Sequence, residues 1–344
     1  MAHKDFDFNV YFNDWLYGKD GYYSNYKTIG KEGDFYTAVS SSKFFGGSIG
    51  KRIVQIITEG FLKPNSTVIE IGAHHGYLLA DMIQFIYTLN PELIKTLNFA
   101  IVERYPHLRE KQKEYFKKCF GDDIILQHYN DVSEIKTSHA FIVANEIYDA
   151  FACDLVYTNE NNVLQKAIVN TQTNKIHFQD ISNEDTFLQN YCTKYKVTKG
   201  EVARGYEEFA LSLNKNIEKF EFITFDYGER YPRNDFSCRV YEKHTVFPIF
   251  DENINLSHLF QKSDITYDVN FQHVIDSFEN LGIKHIIFET QLKALVRFGI
   301  IELLEILHDN VDEKTYLSES NKIKTLLDPT GMGDRFKMAC FRKE

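Results

Sequence analysis

Four places along the chain put reactive residue types at the ends of β-type runs. Glu70-Ile71-Gly72-Ala73-His74-His75-Gly76-Tyr77-Leu78 lies between such a run and an amphipathic helix. Glycine at that corner lets the backbone approach a ligand closely, and the first helical turn offers free N–H groups. Gly72, Ala73 and Gly76 would form the contact. Glu103 closes the next run, where an acidic side chain at the carboxyl edge of a parallel sheet can accept from both hydroxyls of a ribose. Asp131, after a third run, can accept from an adenine amino group. Asn145, Glu146 and Asp149 follow a fourth. If helical, Glu146 and Asp149 share one face. Two carboxylates can then hold a guanidinium by bidentate, charge-assisted hydrogen bonds and align its nitrogen for in-line attack. Each place also has a plain reading: a tight turn, a strand-end acid paired with Arg104, an Asn-Asp loop, or acids suited to a helix N-terminus.

The elements that must position these residues follow from hydrophobic period. Strands are expected at 67–71, 99–103, 124–126 and 140–144, and helices at 48–62, 77–89 and 107–118. Short β-rich runs separated by amphipathic helices imply a parallel sheet covered on both faces. The rhythm then changes. A polar hairpin is expected around 170–174, and a helical segment over 201–219. The stretch 155–219 reads as an insertion into one doubly wound domain. The sheet resumes at 222–226. A helix is expected near 271–281, a strand at 285–288, one amphipathic helix over 290–307 and a last strand at 336–341.

The glycine spacing separates two nucleotide-binding patterns. GxGxxG, the dinucleotide pattern, would need glycine where His74 and Tyr77 stand, so an NAD-linked oxidoreductase is disfavoured. The ExGxGxG pattern of class I S-adenosylmethionine (SAM) methyltransferases fits with Glu70, Gly72 and Gly76, His74 replacing the middle glycine. Further blocks run nearly end to end: Gly21-Tyr22-Tyr23, Gly33-Asp34-Phe35-Tyr36-Thr37, Phe45-Gly46, Leu108-Arg109-Glu110-Lys111-Gln112, Asn145-Glu146 with Asp149-Ala150, Asp226-Tyr227-Gly228, Asp264-Ile265-Thr266 with Val269 and Phe271, and Gly331-Met332-Gly333 with Phe336-Lys337. In this order and combination they resemble the MidA-like family of class I SAM-dependent methyltransferases, found in bacteria and mitochondria.

The resemblance implies a Rossmann-like α/β core (residues 48–344) with an N-terminal lid (residues 1–47) and inserted elements. Its mitochondrial branch is linked to symmetric dimethylation of an arginine in a core subunit of respiratory complex I. It implies SAM as cofactor, a protein substrate and a substrate-facing role for Glu146 and Asp149. Glycine, acid and aromatic rings in the 33–37 block suit a segment closing over a ligand, with Asp34, Tyr36 and Thr37 as cofactor contacts. Phe151-Ala152 departs from the family's Leu-Pro. The rival reading is a non-catalytic methyltransferase-fold assembly factor, with His74 as the mark of decay.

Composition excludes other classes. Of 344 residues, 49 are acidic and 39 are Lys or Arg, and the net charge of −10 offers no field to draw in nucleic acid. Aromatics at 15% supply a large buried core, so bulk disorder is not expected. The five cysteines are widely spaced and odd in number, which suits reduced, apolar residues. His74 and His75 are expected to point apart and to ligate no metal. No stretch is apolar enough to span a bilayer and residues 1–13 lack a secretory core, so a cytoplasmic protein is expected.

Overall fold

Thr67–Ile71 (β1) is buried at every position, as a strand covered on both faces must be. The computed structural model describes residues 5–24, 38–182, 185–242 and 245–344. Asp34, Tyr36 and Thr37 lie outside the described residues. Around β1 stand Asn98–Val102 (β2), Leu126–Tyr129 (β3), Thr137–Asn145 (β4), Ile217–Glu229 (β5), Lys284–Thr290 (β6) and Phe336–Lys343 (β7). Their order is β6-β7-β5-β4-β1-β2-β3. β1 to β5 pair in parallel, and β7 runs antiparallel to both β5 and β6. The strand order reverses between β1 and β4. Such a switch point opens a crevice at the carboxyl ends of both strands, where α/β sheets bind ligands. The fold is the class I methyltransferase arrangement expected from the sequence.

The chain divides into two compact units. The first comprises Met1–Phe35, Tyr148–Glu207 and Gly228–Val274; the second comprises Tyr36–Ile147, Glu208–Tyr227 and Ile275–Glu344. The second unit holds β1 to β4, most of β5, and β6 and β7. Its core joins apolar residues of the sheet, such as Val68, Phe141 and Phe225, to Ile49, Ile53, Leu79 and Ile83 on the covering helices. Phe44–Thr58 (α1) packs closely on Tyr77–Leu89 (α2) because Gly46 has no side chain. A Cβ there would lie 2.7 Å from Asp81 Cβ. Pro106–Phe120 (α3) buries Leu108, Gln112 and Phe116, four residues apart. The first unit contains a five-stranded sheet built on Cys153–Thr158, Leu164–Asn170 and Lys199–Ala203, and a three-stranded sheet centred on Arg239–Glu242. Leu164–Asn170 and Lys175–Asp180 form the expected hairpin.

Four expectations are corrected. The third strand is Leu126–Tyr129, not 124–126: pairing with β2 starts at Leu126, and Ile125 is 82% exposed. The stretch 201–219 is not one helix. Lys199–Ala203 is a strand beside Cys153–Tyr157, and the helix spans Tyr206–Asn216 after Gly205 turns the chain at φ +95°. The helix expected over 290–307 is two, Gln291–Arg297 and Ile300–Asn310, broken at Gly299 with φ +87°. Residues 146–149 form no shared helical turn: Glu146 has φ +55°, and only Tyr148–Ala150 makes a short 3-10 turn. Apolar period reports burial, whereas these boundaries depend on strand pairing and on left-handed residues.

Candidate active site

The turn after β1 is a left-handed cradle. Gly72 has φ +73° and Gly76 has φ +78°. In that region an L side chain is strained, and space is lacking as well. A Cβ on Gly72 would lie 2.9 Å from Ile147 Cγ2, and one on Gly76 would lie 3.0 Å from the Phe116 ring. His74, where the family pattern has glycine, keeps the same hand at φ +46°. Its carbonyl accepts from Gln112 Nε2 at 2.7 Å. The rings of His74 and His75 do not point apart as expected. They meet edge to face, with centroids 4.0 Å apart. Ala73 is buried, and its carbonyl accepts from Gly76 N at 2.7 Å, which closes the turn. α2 starts at the next residue and so aims its N-terminus at the cradle.

Two carboxylates flank this turn. Glu70 is buried beneath it, and its Oε2 accepts from Leu79 N at 2.9 Å. Burial pushes its carboxyl up to about 8. Glu103 stands one residue past β2 and is 7% exposed. Its Oε1 accepts from Tyr105 N at 3.0 Å. Burial raises its pKa, and the Tyr105 N–H with the charges of Arg104 and Arg109 draws it back. Asp131 is exposed and caps the 3-10 turn Val132–Glu134 by accepting from Ser133 N at 2.9 Å. The Ser133 side chain and N–H hold its carboxyl below the usual range. Asn130, beside it, accepts from Arg109, whose guanidinium also donates to the Glu103 carbonyl at 3.2 Å.

The segment after β4 turns on Glu146. Its N–H donates to Phe225 O at 2.8 Å, and Asn145 Nδ2 donates to its Oε1 at 2.8 Å. Ile147 then fills the space that Gly72 leaves open. Asp149 belongs to the other unit. It is 7% exposed, with Oδ2 accepting from Thr266 Oγ1 at 2.7 Å. In the same unit Tyr23 Oη donates to Asp264 at 3.2 Å.

Gln112 and Ile147 are site residues for which the sequence reading proposed no role. Gln112 had a signal: it is the one polar member of the buried i, i+4 stripe of α3. Ile147 had none, since only the fold brings it to Gly72. The cradle fits the methionine and ribose of SAM. Left-handed glycines bare the backbone at a helix N-terminus, and a buried acid stands at the neighbouring strand end. Among the described residues no group of three or more His, Cys, Asp and Glu could hold a metal ion.

A family model described as "Putative S-adenosyl-L-methionine-dependent methyltransferase" matches residues 48–288. The chain belongs to this family. It is a MidA-like, class I member, and SAM is its cofactor. The chain is 23% identical over 350 residues to the Drosophila melanogaster protein named protein arginine methyltransferase NDUFAF7 homolog, mitochondrial, covering 92% of this chain and 76% of that one. It is 27% identical to the Rattus norvegicus protein arginine methyltransferase NDUFAF7, mitochondrial, over 38% of this chain. That match spans 34% of the rat protein, about a third of its length. A crystal structure from Burkholderia thailandensis bound to S-adenosyl-homocysteine superposes with a TM-score of 0.83 at 20% identity, covering 98% of this chain and 87% of that one. Among the described residues, no helix is long and apolar enough to cross a membrane.

Proposed function

We propose that this chain is a SAM-dependent protein-arginine N-methyltransferase whose substrate is a core subunit of respiratory complex I. The observation that carries the reading spans most of both chains. The Drosophila relative, named as a protein arginine methyltransferase, aligns over 92% of this chain. Against the non-catalytic alternative stands the conformation of His74, which keeps the left-handed path of the turn and so leaves the cradle intact.

SAM supplies an electrophilic methyl group when bound. In this reading Gly72, Ala73 and Gly76 receive its methionine end, Glu103 its ribose and Asp131 its adenine. Asp34, Tyr36 and Thr37 are proposed as further contacts. Glu146 and Asp149 are the proposed carboxylates for the acceptor guanidinium, with Asn145 orienting Glu146. A carboxylate beside an arginine nitrogen stabilises the cation and accepts the proton lost as the C–N bond forms. That makes the residue task mainly one of positioning and electrostatics. The cytoplasm remains the proposed compartment.

The test incubates the protein with methyl-deuterated SAM and complex I core subunits, then sequences the products by mass spectrometry. Label on an arginine side chain is expected. Label confined to lysine, carboxylate or small molecules would replace the acceptor assignment. No label anywhere, with SAM bound, would favour the non-catalytic alternative.

A further inference from the structure

We infer that Gln112 is a positioning residue for the cofactor: a single buried amide restrains the glycine turn and allows histidine to stand where the family pattern has glycine. The inference rests on the placement of SAM at the 72–76 turn and Glu103.

Gln112 is fully buried on α3, between Leu108 and Phe116. A carbonyl only accepts, so the contact with the His74 carbonyl at 2.7 Å must be made by the amide nitrogen. The amide oxygen therefore faces His128, whose Nε2 lies 2.9 Å away. An amide oxygen also only accepts, so the His128 proton sits on Nε2. Burial lowers the His128 pKa to about 4, so the ring is neutral near pH 7 and holds that one tautomer. His128 on β3 thus fixes which way the amide that holds the turn faces.

The arrangement explains the departure at position 74. A non-glycine residue at φ +46° is held in a sparsely populated conformation only when its surroundings over-determine it. Here the Gln112 hydrogen bond to the carbonyl of that same residue supplies the restraint. Glycine would adopt the conformation without help. Gln112 also sits against Gly76, where a Cβ would be 3.7 Å from its Cγ. Losing the amide would free the turn.

The experiment is calorimetric titration of SAM into purified full-length protein, paired with thermal melts. Gln112→Leu should weaken SAM binding by about tenfold or more, the loss of two hydrogen bonds at a buried site. Adding His74→Gly to Gln112→Leu should recover at least about threefold, because glycine no longer needs the restraint. A role in core packing alone would lower the melting temperature of both variants and show no such recovery. His128→Leu, at a half-buried strand position, loosens the amide without emptying the core. It should weaken SAM by about threefold at an unchanged melting temperature. Wild-type affinity in Gln112→Leu, or no recovery in the double variant, would overturn the inference. If Gln112→Leu does not fold, wild-type affinity in His128→Leu does so instead. Glu103→Ala separates the two levels. Unchanged SAM affinity in Glu103→Ala removes the site placement itself, whereas weakened binding there with an unaffected Gln112→Leu removes only the role of Gln112.

Discussion

The turn at 70–78 and the segment at 145–150 both follow central strands of one sheet, yet they are built on different principles. In the first, the proposed binding surface is the backbone. Gly72, His74 and Gly76 share the left-handed region, and the carbonyl of His74 and the N–H of Leu79 are tied down by buried side chains. In the second, the proposed work falls to side chains, on a backbone that turns at Glu146 and again in a short 3-10 turn. Glu146 is left-handed, Ile147 packs toward Gly72, and Asp149 joins a different unit, held by Thr266. A backbone site is set by a few residues that tolerate one conformation. A side-chain site is set by whatever the fold places beside it, and so it can diverge faster.

The largest expected effect tests that contrast at the acceptor end. Glu146→Gln and Asp149→Asn, measured separately, should each lower methyl transfer by about a hundredfold while SAM affinity holds. Losing one charge-assisted partner at a desolvated site is worth about 3 kcal/mol. Loss of SAM binding in both would move the pair into the cofactor shell or the scaffold. Full activity in both would end the guanidinium assignment.

The next effect is smaller and falls on the backbone site. Gly76→Ala places a Cβ 3.0 Å from the Phe116 ring at φ +78°. It should cost about 1–3 kcal/mol in denaturant unfolding and weaken SAM binding together. If stability falls and SAM affinity does not, the turn is scaffold alone.

The smallest effect concerns pH. Glu70 has its carboxyl raised to about 8 by burial, so the folded state keeps a proton that the unfolded chain releases near the ordinary glutamate pKa. The unfolded state then binds fewer protons, and stability is full below about 4.5 and declines as pH rises toward 8. The slope from this group is at most about 1.4 kcal/mol per pH unit. Asp81, raised to about 7 by burial, has the same sign. Glu70→Gln should flatten the decline between pH 5 and 8 in urea melts, and an unchanged slope would show that Glu70 is ionised when folded.

These differences also explain what could be read from sequence. β1 and α2 were legible to the residue, because an apolar β-type run, a glycine corner and a 3.6-period helix each leave a local mark. Glu103 was legible as a strand-end acid for the same reason. The geometry of Glu146 was not. Acids three apart suggest a helix, but the N–H of Glu146 is claimed by Phe225 on β5, which no local signal announces. Ile125 failed in the opposite direction: it looks like a strand residue and lies exposed, because pairing with β2 begins one residue later. Gln112 carries a signal beyond its motif, because it is a polar residue within an apolar helical stripe.

The central claim is that SAM lies on the 72–76 turn with its ribose on Glu103, and calorimetric titration of Glu103→Ala against wild type tests it most directly. Each charge-assisted hydrogen bond lost is worth roughly 1.5–3 kcal/mol, so the expected result is binding weakened about tenfold or more in a protein that melts as wild type does. Equal affinity in a folded Glu103→Ala protein would contradict the placement, whatever the acceptor proves to be.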